Sequence, residues 1–480
     1  LHEEHHKNVQ WIAGMETNRK CPFACTFCSW PMGKPVLRPI EQVFQMLDNA
    51  ILKYRAGYVF IFDANFGIFR ERDLAIAEHI VKLKREHGLP RSANVQDGKN
   101  VEEWVYKIRK TLITGGIDSP AIIALQSIHP PTLKAIKRTN IKTESYKVNQ
   151  ARFASENIPT MTDLILALPE ETLESFKFGV GEIMSWGQHD RIHFNNLSMT
   201  PDAEVTHRDQ RRDHGIETVW INVENMHGVI GEKEEVQEYE ELAIATKALP
   251  REDWIRMRAF GWMTNFLHMN KFVQIPNVIC HTAGKDSQGE SPRYDKLIDL
   301  FMSNTLDPKK FPLLVEIRDY FIECARKIQR GEGQYSPAPE WLDIFWPSDE
   351  YMMIKLVREN NLHGFYAEAE QLLADNIVID RKLLHQAFQL GHSLLKLPFR
   401  TGEHIVKCDW NVLEVYRGAR TGQAVELTPG EHKYRIDWSS DSWDTWEDWY
   451  KKVVWFCNRS GNYFLKQNAV AAEPVPAGHY

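Results

Sequence analysis

The first two hundred residues alternate between short apolar runs and amphipathic stretches, and this rhythm limits the possible folds more than any other feature. Runs rich in strand-forming residues, such as YVFIF (Tyr58–Phe62) and MTDLILAL (Met161–Leu168), are each followed by a segment with helical spacing. Six such units, of roughly 30 residues each, lie before residue 205. Apolar strands between helices are typical of a parallel sheet covered on both faces. The sequence therefore predicts an α/β fold, a partial, TIM-like (β/α)6 barrel, with an open doubly wound sheet as the alternative.

After about residue 205 this rhythm stops. Residues 1–205 are expected to form the barrel core, and the strongly charged residues 206–250 a solvated connector with a surface helix. Residues 251–399 show mainly helical spacing. Residues 400–480 look like a mixed α+β region, in which VKCDWNVLEVY and HKYRIDW are predicted as strands and TWEDWYKKVVWFCNRSG as a closing helix. Five of the 15 tryptophans fall within the last 45 residues, so we expect this region to be packed and Trp-rich.

Composition, charge and cysteine usage argue against several classes of protein. Apolar runs fall short of the roughly 18 residues of a membrane-spanning helix, and the first ten residues have no apolar core that would predict a signal peptide. A net charge of −7 gives no reason to expect general nucleic-acid binding. Seven cysteines, an odd number with four scattered singly, argue against a secreted disulfide framework and predict a cytoplasmic protein.

Three of the cysteines stand together in CPFACTFC, where Cys21, Cys25 and Cys28 have the spacing C-x3-C-x2-C. Chance clustering of structural cysteines is one explanation. A zinc site is another, but structural zinc needs four ligands, so a histidine from the first six residues would have to complete the set. The third is a [4Fe–4S] cluster, which normally takes four thiolates. With three, one iron has no protein ligand and can bind a small molecule and pass an electron to it.

The motif resembles that of the radical S-adenosylmethionine (SAM) superfamily, in which C-x3-C-x2-C follows the first strand of a β/α domain. Phe27 provides the aromatic residue usual before the last cysteine. ETNRKCPFACTFCSW (Glu16–Trp30) is similar to a subgroup that often carries an N-terminal cobalamin-binding domain. Similar segments are DANFG, LQS, TDLILALPEET and FNNLSMTPDAE.

The chain departs from this subgroup at a few positions. Lys20 replaces the glycine before the first cysteine, and Ser29 replaces an aspartate. Ala167 and Glu170 stand where the fifth-strand element usually has glycines. These larger residues make it doubtful that the backbone of this element contacts the adenine side of SAM. None of these substitutions involves a predicted cluster ligand.

The resemblance implies a radical enzyme with two cofactors, a [4Fe–4S] cluster on Cys21, Cys25 and Cys28 and SAM. In this family the amino and carboxylate groups of SAM bind the open iron, and reductive cleavage yields a 5′-deoxyadenosyl radical that removes hydrogen from a substrate. Many members of the subgroup methylate unactivated carbon with the help of cobalamin. No cobalamin domain is visible in the sequence, so dependence on cobalamin stays open, and a cobalamin-independent rearrangement or oxidation is the alternative within the enzyme class.

Polar residues at the carboxyl ends of the predicted strands are candidates for binding SAM, because ligands of parallel β/α folds bind there. Asp63 and Asn65 end the second strand, where the resemblance implies contact with the methionine amino group; a helix N-cap is the alternative for Asp63. Gln126 and Ser127 end the fourth strand, within reach of ribose hydroxyls. Asp163 lies inside the apolar fifth strand and needs a partner, for which a ribose is one option.

Two further residues complete the predicted nucleotide side. Asn195 ends the sixth strand beside Asn196, and one of the two is expected to point into the barrel. Phe27 is expected to offer its backbone to the adenine, as the resemblance implies. Substrate contacts are expected after the third strand and after the last cysteine, at Gln96, Asp97, Lys99, Trp30 and Met32.

The predicted partners are a small-molecule or peptide substrate and an electron donor such as flavodoxin or ferredoxin. No membrane partner and no general nucleic-acid partner is expected. The rival hypothesis is a non-catalytic interaction module with zinc or a structural iron–sulfur cluster in the same loop; the six β/α units after the motif speak against it.

Overall fold

The computed structural model of the chain describes most of the sequence, in the ranges 11–98, 102–231, 236–458, 461–466 and 469–471. Lys99, predicted to contact substrate, lies outside these ranges, as do the histidines of the first six residues. Within the described residues, no helix has the length and apolar character required to cross a membrane.

Strands and helices alternate along the first two hundred residues and give way to helices afterwards. The strands of the described residues are β1 (Ile12–Met15), β2 (Asn18–Arg19), β3 (Val36–Leu37), β4 (Tyr58–Phe66), β5 (Ser92–Asp97), β6 (Ala121–Ile122), β7 (Thr160–Leu166), β8 (Arg191–Asn196), β9 (Glu217–Asn222), β10 (Tyr239–Ala245), β11 (Ser336–Ala338), β12 (Ile344–Trp346), β13 (Glu403–Trp410), β14 (Pro429–Asp437) and β15 (Val470–Ala471). The α-helices there are α1 (Ile40–Asp48), α2 (Glu71–His87), α3 (Glu102–Thr114), α4 (Pro130–Ala135), α5 (Thr143–Ser155), α6 (Leu173–Ser185), α7 (Arg208–His214), α8 (Arg251–Thr264), α9 (Gln274–Ala283), α10 (Tyr294–Phe301), α11 (Pro312–Gln329), α12 (Ser348–Arg358), α13 (Leu362–Asn376), α14 (Arg381–Leu394), α15 (Val412–Thr421) and α16 (Trp446–Trp449).

The chain forms two compact units, each discontinuous in sequence. The first unit comprises Leu1–Leu125, Leu133–Asp163 and Thr200–His207. The second comprises Gln126–Thr132, Leu164–Met199 and Arg208–Tyr480. The boundary falls within β7, so a single strand contributes residues to both units.

Parallel strands form the sheets that carry the predicted binding residues. β1, β4 and β5 make a parallel sheet in that order, with Ile12 opposite Tyr58 and Tyr58 opposite Ser92. β7 is the middle strand of a second sheet, between β6 and β8, and pairs in parallel with β6 so that Ala121 lies opposite Thr160. The α/β class with parallel strands, and the helical C-terminal region, are confirmed.

The core of the first unit lies between the sheet β1–β4–β5 and helices α1, α2 and α3. Val59 and Ile61 of β4 and Val95 of β5 are completely buried. The helices contribute the buried side chains Val43, Leu47, Ile76, Ile80, Ile108 and Leu112. Burying an aliphatic side chain of this kind contributes about 1.5–3 kcal/mol. This packing fixes the carboxyl ends of β4 and β5, from which site residues project.

The ends of helix α2, which lies between β4 and β5 in the chain, are determined by local sequence. Its first turn carries Glu71 and Asp73 and its last turn Lys84, Arg85 and His87, which suits the helix dipole at both ends. It ends at Gly88, whose φ of 74° is the left-handed conformation that closes many helices.

The second unit combines the end of β7, β8 and helix α6 with the helices after residue 250. Helix α6 begins with a capping box in which Thr172 and Ser175 exchange hydrogen bonds between side chain and backbone. Helices α8 and α10 pack against α6. Antiparallel pairing joins β9 to β10, β11 to β12, β13 to β14, and β14 to β15.

Two segments differ in detail from the expected structure. The charged residues 206–250 contain the surface helix α7, none of whose residues is buried, but also the antiparallel pair β9–β10. The prediction of a strand over VKCDWNVLEVY is wrong at its end, because β13 stops at Trp410 and VLEVY begins helix α15. Its apolar residues fit one helix face as well as they fit a strand. The division at residues 205, 250 and 399 stays a prediction.

Candidate functional site

The three clustered cysteines lie on a loop closed by the antiparallel ribbon β2–β3. The Cys21 N–H donates to Pro31 O at 2.8 Å, and the Gly33 N–H donates to Cys21 O at 2.9 Å. A tight turn joins the Cys28 N–H to Cys25 O at 3.1 Å. Cys21 and Cys25 are buried and Cys28 is half-buried, and none of them is in a disulfide bond. The sequence cluster is therefore also a cluster on one folded loop.

The middle of the loop is anchored on two other segments of the first unit. The Thr26 N–H donates to Ile136 O at 3.1 Å, and Thr26 O accepts from the Val205 N–H at 2.8 Å. Lys137 and Glu204, the neighbours of these anchors, form an ion pair of 2.7 Å near the surface. The shape of the cysteine loop thus depends on residues far along the chain.

Strand β4 brings Asp63 against the residues that lead into the loop. Its buried carboxylate accepts hydrogen bonds from the Thr17 N–H at 2.6 Å, the Asn18 N–H at 3.1 Å, Asn18 Nδ2 at 2.6 Å and the Thr17 hydroxyl. Burial raises the pKa of Asp63, and the hydrogen bonds from Thr17 and Asn18 oppose that rise. The N-cap alternative is wrong, because the next helix begins at Glu71. Contact between Asp63 and a ligand amine stays a prediction.

Arg72, like Asp63, holds the residues that flank the cysteine loop, and the sequence reasoning missed it. Its Nη2 donates to Thr17 O and to Arg38 O, both at 2.9 Å, and its Nη1 donates to the Thr17 hydroxyl at 3.2 Å. Thr17 precedes β2 and Arg38 follows β3, so one guanidinium ties the two ends of the ribbon together. Its place near the start of a helix gave no signal for this contact.

Asn65 ends strand β4 and lies beside the first cysteine. Its Nδ2 donates to Cys21 Sγ at 3.1 Å, and both side chains are buried. From the sequence, Asn65 is expected to contact the methionine amino group of SAM. In the structure, its side-chain amide donates to a cysteine.

Arg138 places a cation beside the thiols, and the sequence reasoning missed it too. It follows α4 and is 7% exposed. Its guanidinium hydrogen-bonds to Cys25, and its Nε donates to Asn140 Oδ1 at 2.7 Å. Burial lowers the pKa of Arg138, while negative charge on Cys25, Asp163 and Cys28 opposes the change. Since arginine stays protonated in proteins, a buried positive charge interacts with two cysteines and with the half-buried Asp163 of β7.

Asp97, a predicted substrate contact, is engaged within the first unit. Its carboxylate pairs with Arg109 at 2.9 Å and accepts from the Ile122 N–H at 2.7 Å. Burial raises the pKa of Asp97, and Arg109 opposes the rise. These bonds connect β5, α3 and β6, which gives Asp97 a structural role.

The other candidates of the first unit differ in exposure. Phe27 and Gln96 are half-buried. Trp30 is 37% exposed and Met32 is 55% exposed, so both lie on the surface of the cysteine loop.

In the second unit, Gln126 and Ser127 follow each other but have different surroundings. Gln126 has a φ of 69°, a conformation rare outside glycine, and its buried Oε1 has no hydrogen-bond partner in the described part of the chain. Strained backbone and an orphaned buried oxygen are both typical of binding sites. Ser127 is buried, donates to Glu171 and accepts from the His129 N–H at 3.0 Å, so its hydroxyl already helps to hold the residues before α6.

The two asparagines at the end of β8 also differ. Asn195 is exposed, whereas Asn196 donates from Nδ2 to Gln334 Oε1 at 2.6 Å. The Oδ1 of Asn196 is buried without a hydrogen-bond partner among the described residues. Asn196 rather than Asn195 therefore has the polar atom that a ligand could satisfy.

The described residues include no group of three or more His, Cys, Asp or Glu side chains arranged to hold a single metal ion.

Comparison with known protein families agrees with the family that the cysteine motif resembles. Residues 15–178 match the family described as the radical SAM superfamily. The chain contains a radical SAM domain. The matched residues include the three cysteines, Asn65 and Arg138, and the resemblance read from the cysteine motif is confirmed. A radical SAM domain uses a [4Fe–4S] cluster and SAM.

Two curated relatives are similar to about half of this chain. The "Cobalamin-dependent radical SAM methyltransferase TokK" of Streptomyces tokunonensis is 34% identical over 268 residues, which are 55% of this chain and 38% of the relative. The "2-(S-pantetheinyl)-carbapenam-3-carboxylate methyltransferase" of Streptantibioticus cattleyicolor is 31% identical over 267 residues, again 55% of this chain and 38% of the relative. The chain therefore spans less than half the length of the curated relatives it matches.

Solved structures of radical SAM proteins show partial similarity. The methyltransferase TsrM from Kitasatospora setae, with tryptophan substrate and a SAM analogue bound, gives a TM-score of 0.39 at 14% identity over 54% of this chain and 53% of that chain. The cobalamin-dependent radical enzyme OxsB gives a TM-score of 0.34 at 11% identity over 80% of this chain and 58% of that chain.

Proposed function

We propose that this chain is a radical SAM enzyme in which Cys21, Cys25 and Cys28 hold a [4Fe–4S] cluster. The observation that carries the proposal is the pair of donors at the sulfurs: Asn65 Nδ2 lies 3.1 Å from Cys21 Sγ, and Arg138 donates to Cys25. Donors aimed at sulfur stabilise the charge of a thiolate, the form in which cysteine ligates metal. The donor set therefore fits an iron–sulfur cluster.

The residues of the loop have separate tasks in this proposal. The three thiolates would hold three of the four irons of the cluster and leave the fourth open to SAM. A cluster held there would supply one electron for the cleavage of SAM to methionine and a 5′-deoxyadenosyl radical, which would take a hydrogen atom from the substrate. Asp63 and Arg72 hold the residues before the loop, and burial of Cys21 and Cys25 limits the access of water.

On the nucleotide side, Gln126 has the strongest structural support. Its unsatisfied buried Oε1 would accept a hydrogen bond from a ribose hydroxyl. Asp63, Asp163, Phe27, Ser127 and Asn195 remain the other proposed SAM contacts, now joined by Asn196 because of its unsatisfied Oδ1.

We further propose that the radical serves a cobalamin-dependent transfer of a methyl group to an unactivated carbon. The support is similarity to two proteins named as methyltransferases, one of them named as cobalamin-dependent. The substrate is proposed to be a small molecule or a peptide, and the electron donor a flavodoxin or ferredoxin in the cytoplasm.

Anaerobic purification and reconstitution test the core of the proposal. We expect a brown protein with about four irons per chain that forms 5′-deoxyadenosine from SAM and a chemical reductant. Cys25→Ala should lose this activity, because it removes a cluster ligand. Cys324→Ala, on α11 and outside the proposed site, is the matched control and should keep the iron and the activity.

Two results would refute the proposal. One equivalent of zinc with no iron after reconstitution would favour the non-catalytic metal-binding alternative. Formation of 5′-deoxyadenosine by Cys25→Ala would show that the cluster is bound elsewhere. Co-purification of cobalamin, with a methylated product in place of a rearranged or oxidised one, separates methyl transfer from the other radical reactions.

A further inference from the structure

Two different kinds of donor meet the cysteine loop from two different elements. Asn65, at the end of β4, offers a neutral amide N–H to Cys21 Sγ at 3.1 Å. Arg138, after α4, offers a charged guanidinium to Cys25. Both donors are buried, with Asn65 3% and Arg138 7% exposed. Neither belongs to the cysteine motif, and both act on sulfur atoms that the proposed function assigns to cluster ligands.

Arg138 interacts with several negatively charged groups and hydrogen-bond acceptors. The negative charges that act on its guanidinium belong to Cys25, Asp163 and Cys28. Its Nε donates to Asn140 Oδ1 at 2.7 Å and its Nη2 donates to Ala124 O, so two further acceptors hold the cation in position. The cation thus interacts with two thiols and with one carboxylate, Asp163, which is a partial counter-charge.

We propose that Arg138 and Asn65 raise the reduction potential of the [4Fe–4S] cluster, and that Asp163 limits the effect of Arg138. This inference rests on the proposed function, since it requires a cluster on these cysteines. Arg138 and Asn65 are then tuning residues: they touch ligand sulfurs, and they set how readily the cluster accepts the electron needed to cleave SAM.

The physical argument is electrostatic. Reduction adds one negative charge to a cluster already held by three thiolates. N–H donors and a nearby cation stabilise the reduced form more than the oxidised form, and hydrogen bonds to sulfur are a recognised determinant of iron–sulfur potentials. Burial strengthens the interaction, because the local dielectric is low. A full charge acts more strongly than an amide dipole, so Arg138 should have the larger effect.

The experiment compares reconstituted full-length proteins by redox titration, following the EPR signal of the reduced cluster without SAM. Arg138→Met removes the cation and keeps an apolar chain, and we expect the equilibrium constant for reduction to fall at least tenfold, about 59 mV for one electron. Arg138→Lys keeps the charge and should shift the potential less. Asn65→Leu should lower it by a smaller amount than Arg138→Met.

Asp163→Asn tests the sign of the effect independently. It removes a negative charge near the cluster without removing a donor to sulfur, so the potential should rise. Arg152→Met is the matched control, since Arg152 pairs with Glu103 on the surface of α5 and should leave the potential unchanged.

The outcomes separate the two proposals. A wild-type chain that takes up no iron refutes the proposed function. A wild-type chain with about four irons, whose potential is unchanged in both Arg138→Met and Asp163→Asn, overturns only this inference. If Arg138→Met fails to take up iron, Asp163→Asn decides, because an unchanged or lowered potential in that variant contradicts the proposed tuning.

Discussion

At the scale of single residues, three residues other than glycine have the left-handed backbone conformation that favours glycine. Lys20, Ala167 and Glu170 have φ values of 76°, 61° and 65°. These are the positions at which the sequence departs from the glycines of the similar subgroup. The left-handed conformation costs an ordinary residue about 1–2 kcal/mol. The chain therefore keeps the backbone shape of the motif and tolerates the strain.

Lys20→Gly should stabilise the protein. Glycine removes the left-handed penalty and loses more conformational freedom on folding, so we expect a net gain of about 0.5–1 kcal/mol. The lysine side chain is exposed, so little packing is lost. The measurement is the midpoint of thermal unfolding followed by circular dichroism.

The matched control is Lys107→Gly on helix α3, where the backbone is helical. Glycine there should cost about 0.5–1 kcal/mol and lower the midpoint. If both substitutions lower the midpoint equally, the backbone at Lys20 is not strained as described.

At the scale of elements, the ribbon β2–β3 and the cysteine loop depend on β4 and α2 for their position. Asp63 of β4 holds the residues before Cys21, and Arg72 of α2 holds Thr17 and Arg38 at the two ends of the ribbon. The ribbon alone pairs two residues on each strand and cannot fix a metal-binding loop by itself. Supporting residues of this kind are expected to influence metal affinity.

Arg72→Ala should weaken retention of the cluster without removing a ligand. Loss of an outer supporting residue typically costs about 10–100-fold in metal affinity. We expect at least a tenfold faster loss of iron to a chelator, measured by the decay of the visible absorbance.

Arg85→Ala, an exposed change on the same helix, should lose iron at the wild-type rate. Equal rates of iron loss in Arg72→Ala and the wild type would mean that the ribbon keeps its shape without the hydrogen bonds of Arg72.

At the scale of the whole molecule, elements before and after residue 205 share a core in the second unit. Helices α8 and α10 pack against α6, and Gly181 of α6 faces Asp295 of α10 so closely that a Cβ would clash. Arg258 of α8 donates to Phe194 O of β8 at 2.5 Å. The apolar face of α6 is thus covered by residues far along the chain.

A chain that ends at residue 205 should therefore lose the cooperative unfolding of the second unit. Truncation exposes buried residues of α6, including Phe176 and Val180, and leaves a partial core. Differential scanning calorimetry should show a cooperative transition of the second unit in the full chain, and this transition should be missing in the fragment. A fragment in which α6 still unfolds cooperatively would instead support the predicted domain boundary at 205.

The sequence by itself determined what depends on residues close together in the chain. The strand–helix rhythm identified the α/β class, because periodic burial follows from local spacing. Three cysteines within eight residues identified the cluster loop, because one short loop can supply all three ligands. The failure at VLEVY has a local cause as well, since a short apolar run fits a strand or a helix.

Only the tertiary structure decided which polar groups meet. It assigned Asn65 to Cys21, Arg138 to Cys25, Asp97 to Arg109 and Ser127 to Glu171. The physical reason is that a buried polar group must find a partner. That partner is chosen by distance in space between residues that are far apart in the chain, and the sequence shows only their types.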